Sequence, residues 1–302
     1  MAILNQPVLR ALVLVTSLTV LGTAWSIVAG TYLDTSNPLI TNLPHPKHAT
    51  SYFASKRNIF NTLFVKRAWG WTTLAIVVNT IVTSERRAAT RAWRWGLATL
   101  AWLSFAMWFF GPSVRARLSV LSGAECIVQL PTTIPADTQV ITIPAEFCIA
   151  RRQVSVAEHA ELFQSAFMGN TGTSVLTIPE GWKGIPKLTR GHDVSGHVFL
   201  LSLSILTIVD NLSAGTPAAG VTALSIPQLL SGTASVLLVG LWYWMLLMTS
   251  VYFHSPGEKF SGLIVGIVAF FFTRIPSPFR DSPVKMPVTV AIQATDANKK
   301  YQ

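Results

Sequence analysis

Six times along this chain of 302 residues, sixteen to twenty-three consecutive positions pass with at most one Asp, Glu, Lys or Arg among them. Nothing constrains the fold more. A bilayer hydrocarbon core of about 30 Å takes roughly 20 apolar residues in a helix, and about 17 at the short end. Read as membrane spans, the runs cover residues 11–33, 68–83, 95–110, 195–210, 231–253 and 260–275. The shortest also have the length of re-entrant segments. The first is longer than the apolar region of a signal peptide and lacks a small-residue cleavage site, so the reading keeps it as a span. Trp69 and Trp71 stand at the mouth of the second, where indole rings anchor a helix to the interface. Only 12% of the residues are charged, about half the share found in soluble domains. The expected fold is an all-α polytopic membrane protein: one integral domain over 1–280 and a polar tail over 281–302.

The net charge of +10 belongs with this picture rather than with nucleic acid. The basic residues flank the apolar runs, where anionic headgroups hold them. "SERRAATRAWRW", between the second and third runs, reads as such an interfacial anchor. Among the loops, 34–67 carries Pro38, Pro44 and Pro46 and is extended. The long segment 112–190 has a Val/Ile/Thr-rich, proline-punctuated middle followed by the helix-like "SVAEHAELFQSAF", and is expected to form a small cap over one membrane face. Cys126 and Cys148 both lie in it; two cysteines make no scaffold or zinc cluster, and one disulfide between them needs an oxidising lumen. With the long loop left out, as the positive-inside rule requires, Lys and Arg weigh toward a cytosolic N-terminus. The terminal "KKYQ" resembles a dilysine retrieval signal and agrees. Both ends then face the cytosol and the cap faces the lumen.

"GHDVSGHVFLLSLSIL" opens the fourth run and "VYFHSPGEKFSG" closes the fifth. Consecutive spans run antiparallel, so His197 and His254 meet at one membrane face whichever way the protein is inserted. Ser195 is placed to cap the fourth helix, and the free N–H groups there suit a phosphate. Glu258 follows His254 by four residues. A carboxylate on one ring nitrogen fixes the tautomer and raises the basicity of the other, although Pro256 between them opposes a regular helix. Two histidines, one of them so oriented, suit phosphoryl transfer: one attacks phosphorus and the other protonates the leaving oxygen. The alternatives are solvated interfacial histidines, and a metal held by His192, Asp193, His197 and His254, whose spacing matches no ligand pattern. His159 is expected on an exposed amphipathic helix, and His45 and His48 in loops.

These two segments, with "NIFNTLFVKRAWGWTT" and "FFGPSVRARL", resemble the fat storage-inducing transmembrane family in its fungal branch. That family is in turn similar to the lipid phosphate phosphatases, whose site is an "SGH" motif and a histidine followed four residues later by an acid. The resemblance implies an endoplasmic reticulum enzyme with a lumenal site that hydrolyses fatty acyl-CoA to acyl-4′-phosphopantetheine and adenosine 3′,5′-bisphosphate, supporting lipid droplet formation. It makes His254 the nucleophile, Glu258 its orienting carboxylate and His197 the general acid, with no metal or other cofactor. Its partners are acyl-CoA and membrane lipids. The phosphate would be held by Ser195, Gly196, Arg190 and Lys187, or by Lys66, since the lysine-to-Arg-Pro clamp of the phosphatases is absent. The competing reading is a non-catalytic protein that binds and partitions neutral lipid; a transporter would need charges near a span centre.

Overall fold

The structure is a computed structural model that describes residues 5–32, 45, 47, 49–83, 88–106, 114–131, 140–150, 152–163, 178–179, 181–189, 191–214 and 224–279. Six of its helices form a bundle: α1 (Gln6–Val28), α2 (Ala68–Val82), α3 (Ala88–Ala106), α6 (Gly196–Ala214), α7 (Ile226–Tyr252) and α8 (Pro256–Phe272). Between α3 and α6 come α4 (Val114–Leu121), strands β1 (Glu125–Gln129) and β2 (Val140–Ile143), α5 (Ala145–Ala150) and β3 (Lys187–Thr189). Of the bundle helices α1, α6 and α7 are long and apolar enough to cross a membrane.

Caps and prolines set where the helices start. Asn5 accepts the Val8 N–H at 3.2 Å at the head of α1, which therefore begins five residues before the apolar run does. Ser225 and Gln228 form a capping box at α7, with Pro227 in its first turn. Ser255 and Glu258 do the same at α8, with Pro256 as its first residue. Proline is favoured there because the N–H it lacks has no intrahelical acceptor. A helix thus starts where its orphan N–H groups find partners, and not where charge stops.

Partners at the helix ends give the directions. Asn5 donates to Ser213 at the end of α6. Trp69, opening α2, stacks on Trp102 late in α3. Asn79, late in α2, donates to Ser235 and accepts from Ser231 near the start of α7. Phe105, closing α3, stacks on Phe199 near the start of α6 at 4.0 Å. Each bundle helix therefore runs opposite to the next in sequence, and the start of α6, the end of α7 and the start of α8 share one end. Helix α6 is the hub and packs on all five others; twelve of its nineteen residues are buried. Its apolar side chains interlock with Val8, Val15, Trp69, Trp242, Leu263 and Phe270.

The all-α expectation holds for the bundle but not for the cap. There β1 pairs antiparallel with β2 (Cys126 opposite Ile143) and with β3 (Cys126 opposite Leu188). This sheet, ordered β2-β1-β3, covers a second core of Val128, Leu130, Ile141, Ile143, Val154 and Phe163. A Cys126–Cys148 disulfide ties β1 to α5. His159 is half-buried rather than exposed, its ring edge-on to Phe147. His45 lies in a loop, as expected, but a buried one, and His48 lies outside the described residues. His45 is 3% exposed, and burial holds its imidazole below the usual range although bonds to the Thr31 and Tyr252 main chain oppose this.

Candidate active site

The two histidine segments are stitched together through main chain. Ser195, fully buried, donates its N–H to the Glu258 carbonyl at 3.0 Å. Its hydroxyl accepts the Val198 N–H at 3.4 Å, a long N-cap bond. This close approach depends on Gly262. A Cβ there would lie 2.6 Å from the Ser195 carbonyl oxygen, a separation that backbone cannot tolerate. One turn on, a Cβ at Gly266 would meet the Phe199 carbonyl oxygen at 3.0 Å. Two glycines four apart on α8 thus lay it against the first turns of α6, where Gly196 opens the helix and His197 follows half-buried.

His254 stands between α7 and α8 rather than within a helix. Phe253 is extended, and His254 then takes φ +61°, a left-handed conformation that is uncommon for a residue with a Cβ. The chain turns back at once into Ser255 and Pro256. The objection that Pro256 raises to an i, i+4 pair is met in this way: His254 and Glu258 face each other across the N-terminus of α8, with the proline as the first helical residue. Glu258 Oε2 accepts the Ser255 N–H at 2.8 Å and lies 3.4 Å from His254 Nδ1. At that distance the contact is electrostatic and not a formed hydrogen bond, and His254 Nδ1 is buried without a hydrogen-bond partner. Both side chains are largely shielded, His254 at 15% and Glu258 at 6% exposure. The carboxylate is thus held in place by a cap, with the imidazole just beyond bonding range.

The cap reaches the same end. The His192 N–H donates to Ser122 at 2.7 Å and its carbonyl accepts from Ser119 at 3.2 Å. Its ring, 2.8 Å from the Ser261 hydroxyl, rests on the first turns of α8. Among the described residues no three or more His, Cys, Asp or Glu side chains are gathered into a group that could hold a metal ion. Of the phosphate-binding candidates, Lys187 is exposed on β3 and Lys66 is exposed just before α2. Arg190 lies outside the described residues. Lys56 is held below the usual lysine range by partial burial and then by the charge of Lys187, so the 45–67 segment and the cap bring positive charge together.

Three buried groups near His254 escaped the sequence reading. Lys259 is fully buried, with its ammonium on Ser26 and on the Ser250 carbonyl. Thr31 bonds to the Val251 carbonyl, and His45 to the Thr31 carbonyl. Only Lys259 carried a signal, as a lysine directly after Glu258 at the mouth of an apolar run.

The model of a family described as fat storage-inducing transmembrane protein matches residues 49–230 and 223–273. Acyl-coenzyme A diphosphatase fit1 of Schizosaccharomyces pombe is 28% identical over 234 residues, 76% of each chain. Acyl-coenzyme A diphosphatase FITM2 of Sus scrofa is 26% identical over 254 residues, 83% of this chain and 78% of its own. Fat storage-inducing transmembrane protein 1 of Homo sapiens is 29% identical over 231 residues, 73% of this chain and 63% of its own. No solved structure matches the chain. Both histidine segments fall inside the matched residues, and the protein belongs to the fat storage-inducing transmembrane family.

Proposed function

We propose that this protein is a fatty acyl-CoA diphosphatase of the endoplasmic reticulum membrane, yielding acyl-4′-phosphopantetheine and adenosine 3′,5′-bisphosphate. The observation that carries the reading is the His254–Glu258 pair joined through the Ser195–Glu258 main-chain bond to the first turn of α6, where His197 stands. It supplies the groups a metal-free phosphoryl transfer needs. The names of the fit1 and FITM2 relatives supply the substrate.

In this mechanism Glu258 faces the protonated Nδ1 of His254, which leaves Nε2 with the lone pair. Nε2 attacks one phosphorus of the diphosphate, and the bond from that phosphorus to the bridging oxygen breaks. His197 gives its proton to the departing phosphate oxygen. It then takes a proton from the water that hydrolyses the phosphohistidine, restoring both residues. The N–H groups at the start of α6, around Ser195 and Gly196, with Lys187 and Arg190, balance the phosphate charge. The acyl chain stays in the bilayer while the diphosphate reaches the interface.

The six bundle helices are six spans of one membrane domain, 1–280, with a cytosolic tail over 281–302. Six alternating spans leave both termini on one side, the cytosolic one in this reading, with the cap and histidines in the lumen. The Cys126–Cys148 disulfide supports that side, since such bonds persist in oxidising compartments. Purified protein given acyl-CoA should release adenosine 3′,5′-bisphosphate; binding without turnover would favour a lipid-partitioning protein. A glycosylation sequon placed near Thr138 should gain a glycan and one near Ala294 should not. The reverse pattern would put the histidines in the cytosol.

A further inference from the structure

The last carbonyls of a helix have no partner inside it. At the end of α7, four and three residues before His254, side chains from other segments satisfy two of them. The Ser250 carbonyl accepts from Lys259 Nζ at 2.6 Å, and the Val251 carbonyl accepts from the Thr31 hydroxyl at 2.6 Å. Thr31 is itself held. Its carbonyl lies 2.7 Å from His45 Nε2, and His45 Nδ1 accepts the Lys47 N–H at 3.0 Å. That second bond fixes the tautomer, because a nitrogen accepting an N–H carries no proton, so Nε2 is the donor to Thr31. The His45 ring stands edge-on to Tyr252 and Phe253, the two residues before His254. The Lys259 ammonium also donates to Ser26 at 2.8 Å and lies over the Tyr32 ring. Residues after α1, in the 45–67 segment and in α8 therefore converge on one turn of chain.

Three points make this more than helix capping. A fully buried ammonium is expensive and is kept only where its bonds are all made. Lys259 follows Glu258 directly, so a single turn of α8 carries both the carboxylate facing the imidazole and the cation gripping the chain ahead of it. The gripped chain ends in the left-handed His254, a conformation that persists only when its surroundings over-determine it.

We infer that Thr31, His45 and Lys259 are positioning residues that hold the last turn of α7 and, through it, fix where the His254 imidazole stands. The inference rests on the reading of His254 as the attacking residue. Thr31 gives the cleanest test because one substitution keeps the hydroxyl and another keeps the shape. In purified full-length protein, Thr31→Val should lower kcat about ten-fold with KM within about two-fold, as a small displacement of a reacting group does. Thr31→Ser should keep most of the wild-type kcat. Lys259→Met should lower kcat further, by up to about a hundred-fold. If Lys259→Met does not fold, the Thr31 pair still decides.

A Thr31→Val protein with wild-type kcat, in a preparation where His254→Ala is inactive, overturns the positioning role. So does a loss that Thr31→Ser shares, or one confined to melting temperature with kcat per folded protein unchanged. An active His254→Ala would instead overturn the site itself, so the two failures are distinguishable.

Discussion

The two ends of the bundle treat charge in opposite ways. At one end Asp210, near the close of α6, has both carboxylate oxygens taken: Oδ2 by Arg94 at 2.7 Å and Oδ1 by Arg274 at 2.5 Å. This ties α3 and the chain after α8 to the hub. At the other end Glu258 caps its own helix and faces His254 at 3.4 Å, short of a formed hydrogen bond, with His254 in a left-handed backbone. A carboxylate saturated by two guanidinium groups has nothing left for chemistry. Glu258 is fixed by its own helix start and faces an imidazole just beyond bonding range. Paired guanidinium groups lock the first end, and the second is the one proposed to react.

The comparison breaks if the two ends respond alike to mutation. His254→Ala should abolish diphosphate cleavage and His197→Ala should cut it by about 10²-fold or more, as loss of a general acid does; both proteins should melt within a few degrees of wild type. Asp210→Asn should do the reverse. It leaves two guanidinium groups without their carboxylate, and because both are part-exposed the cost should be about 1–3 kcal/mol of stability, read in thermal unfolding, with kcat per folded protein unchanged. A large kcat loss in Asp210→Asn would mean the ends are coupled.

Glu258→Gln sharpens the contrast. The amide keeps the shape and can still accept the Ser255 N–H, but it loses the charge that favours the reactive tautomer. Turnover should fall about ten-fold with KM nearly unchanged. A change in KM alone would make Glu258 a binding group.

The smallest expected effect concerns pH. His45 has a folded pKa below its ordinary 6.5, so the unfolded chain binds its proton first on acidification. The stability it contributes is present above about pH 6.5 and is lost as pH falls through the folded value. Melting temperature should decline between pH 7 and pH 5, and His45→Gln should flatten that slope. An unchanged slope would mean that other groups set the acid response.

Much of this was legible in the chain. The apolar runs mark every bundle helix, because exclusion of charge is the property that a bilayer selects. They misjudge helix starts, because caps such as Asn5, Ser225 and Ser255 act on the backbone and leave no mark on hydropathy. In α3 the start is hidden by its own arginines: Arg91 and Arg94 lie inside the helix, before the apolar run begins. The His254–Glu258 pairing was readable from spacing, but its geometry was not, since it depends on Pro256 opening a helix rather than interrupting one. The register of the cap sheet, and the grip of Thr31 and His45 on α7, are contacts between distant segments that no local pattern encodes.

Gly262 and Gly266 of α8 bear on how the proposed acyl substrate would get in. With Gly262 and Gly266 against the Ser195 and Phe199 carbonyls, the α6–α8 boundary at this end is a closed seam, with backbone on backbone and no slot for an alkyl tail. Under the proposed mechanism, a fatty chain would have to reach His197 and His254 along another flank of the hub than this seam.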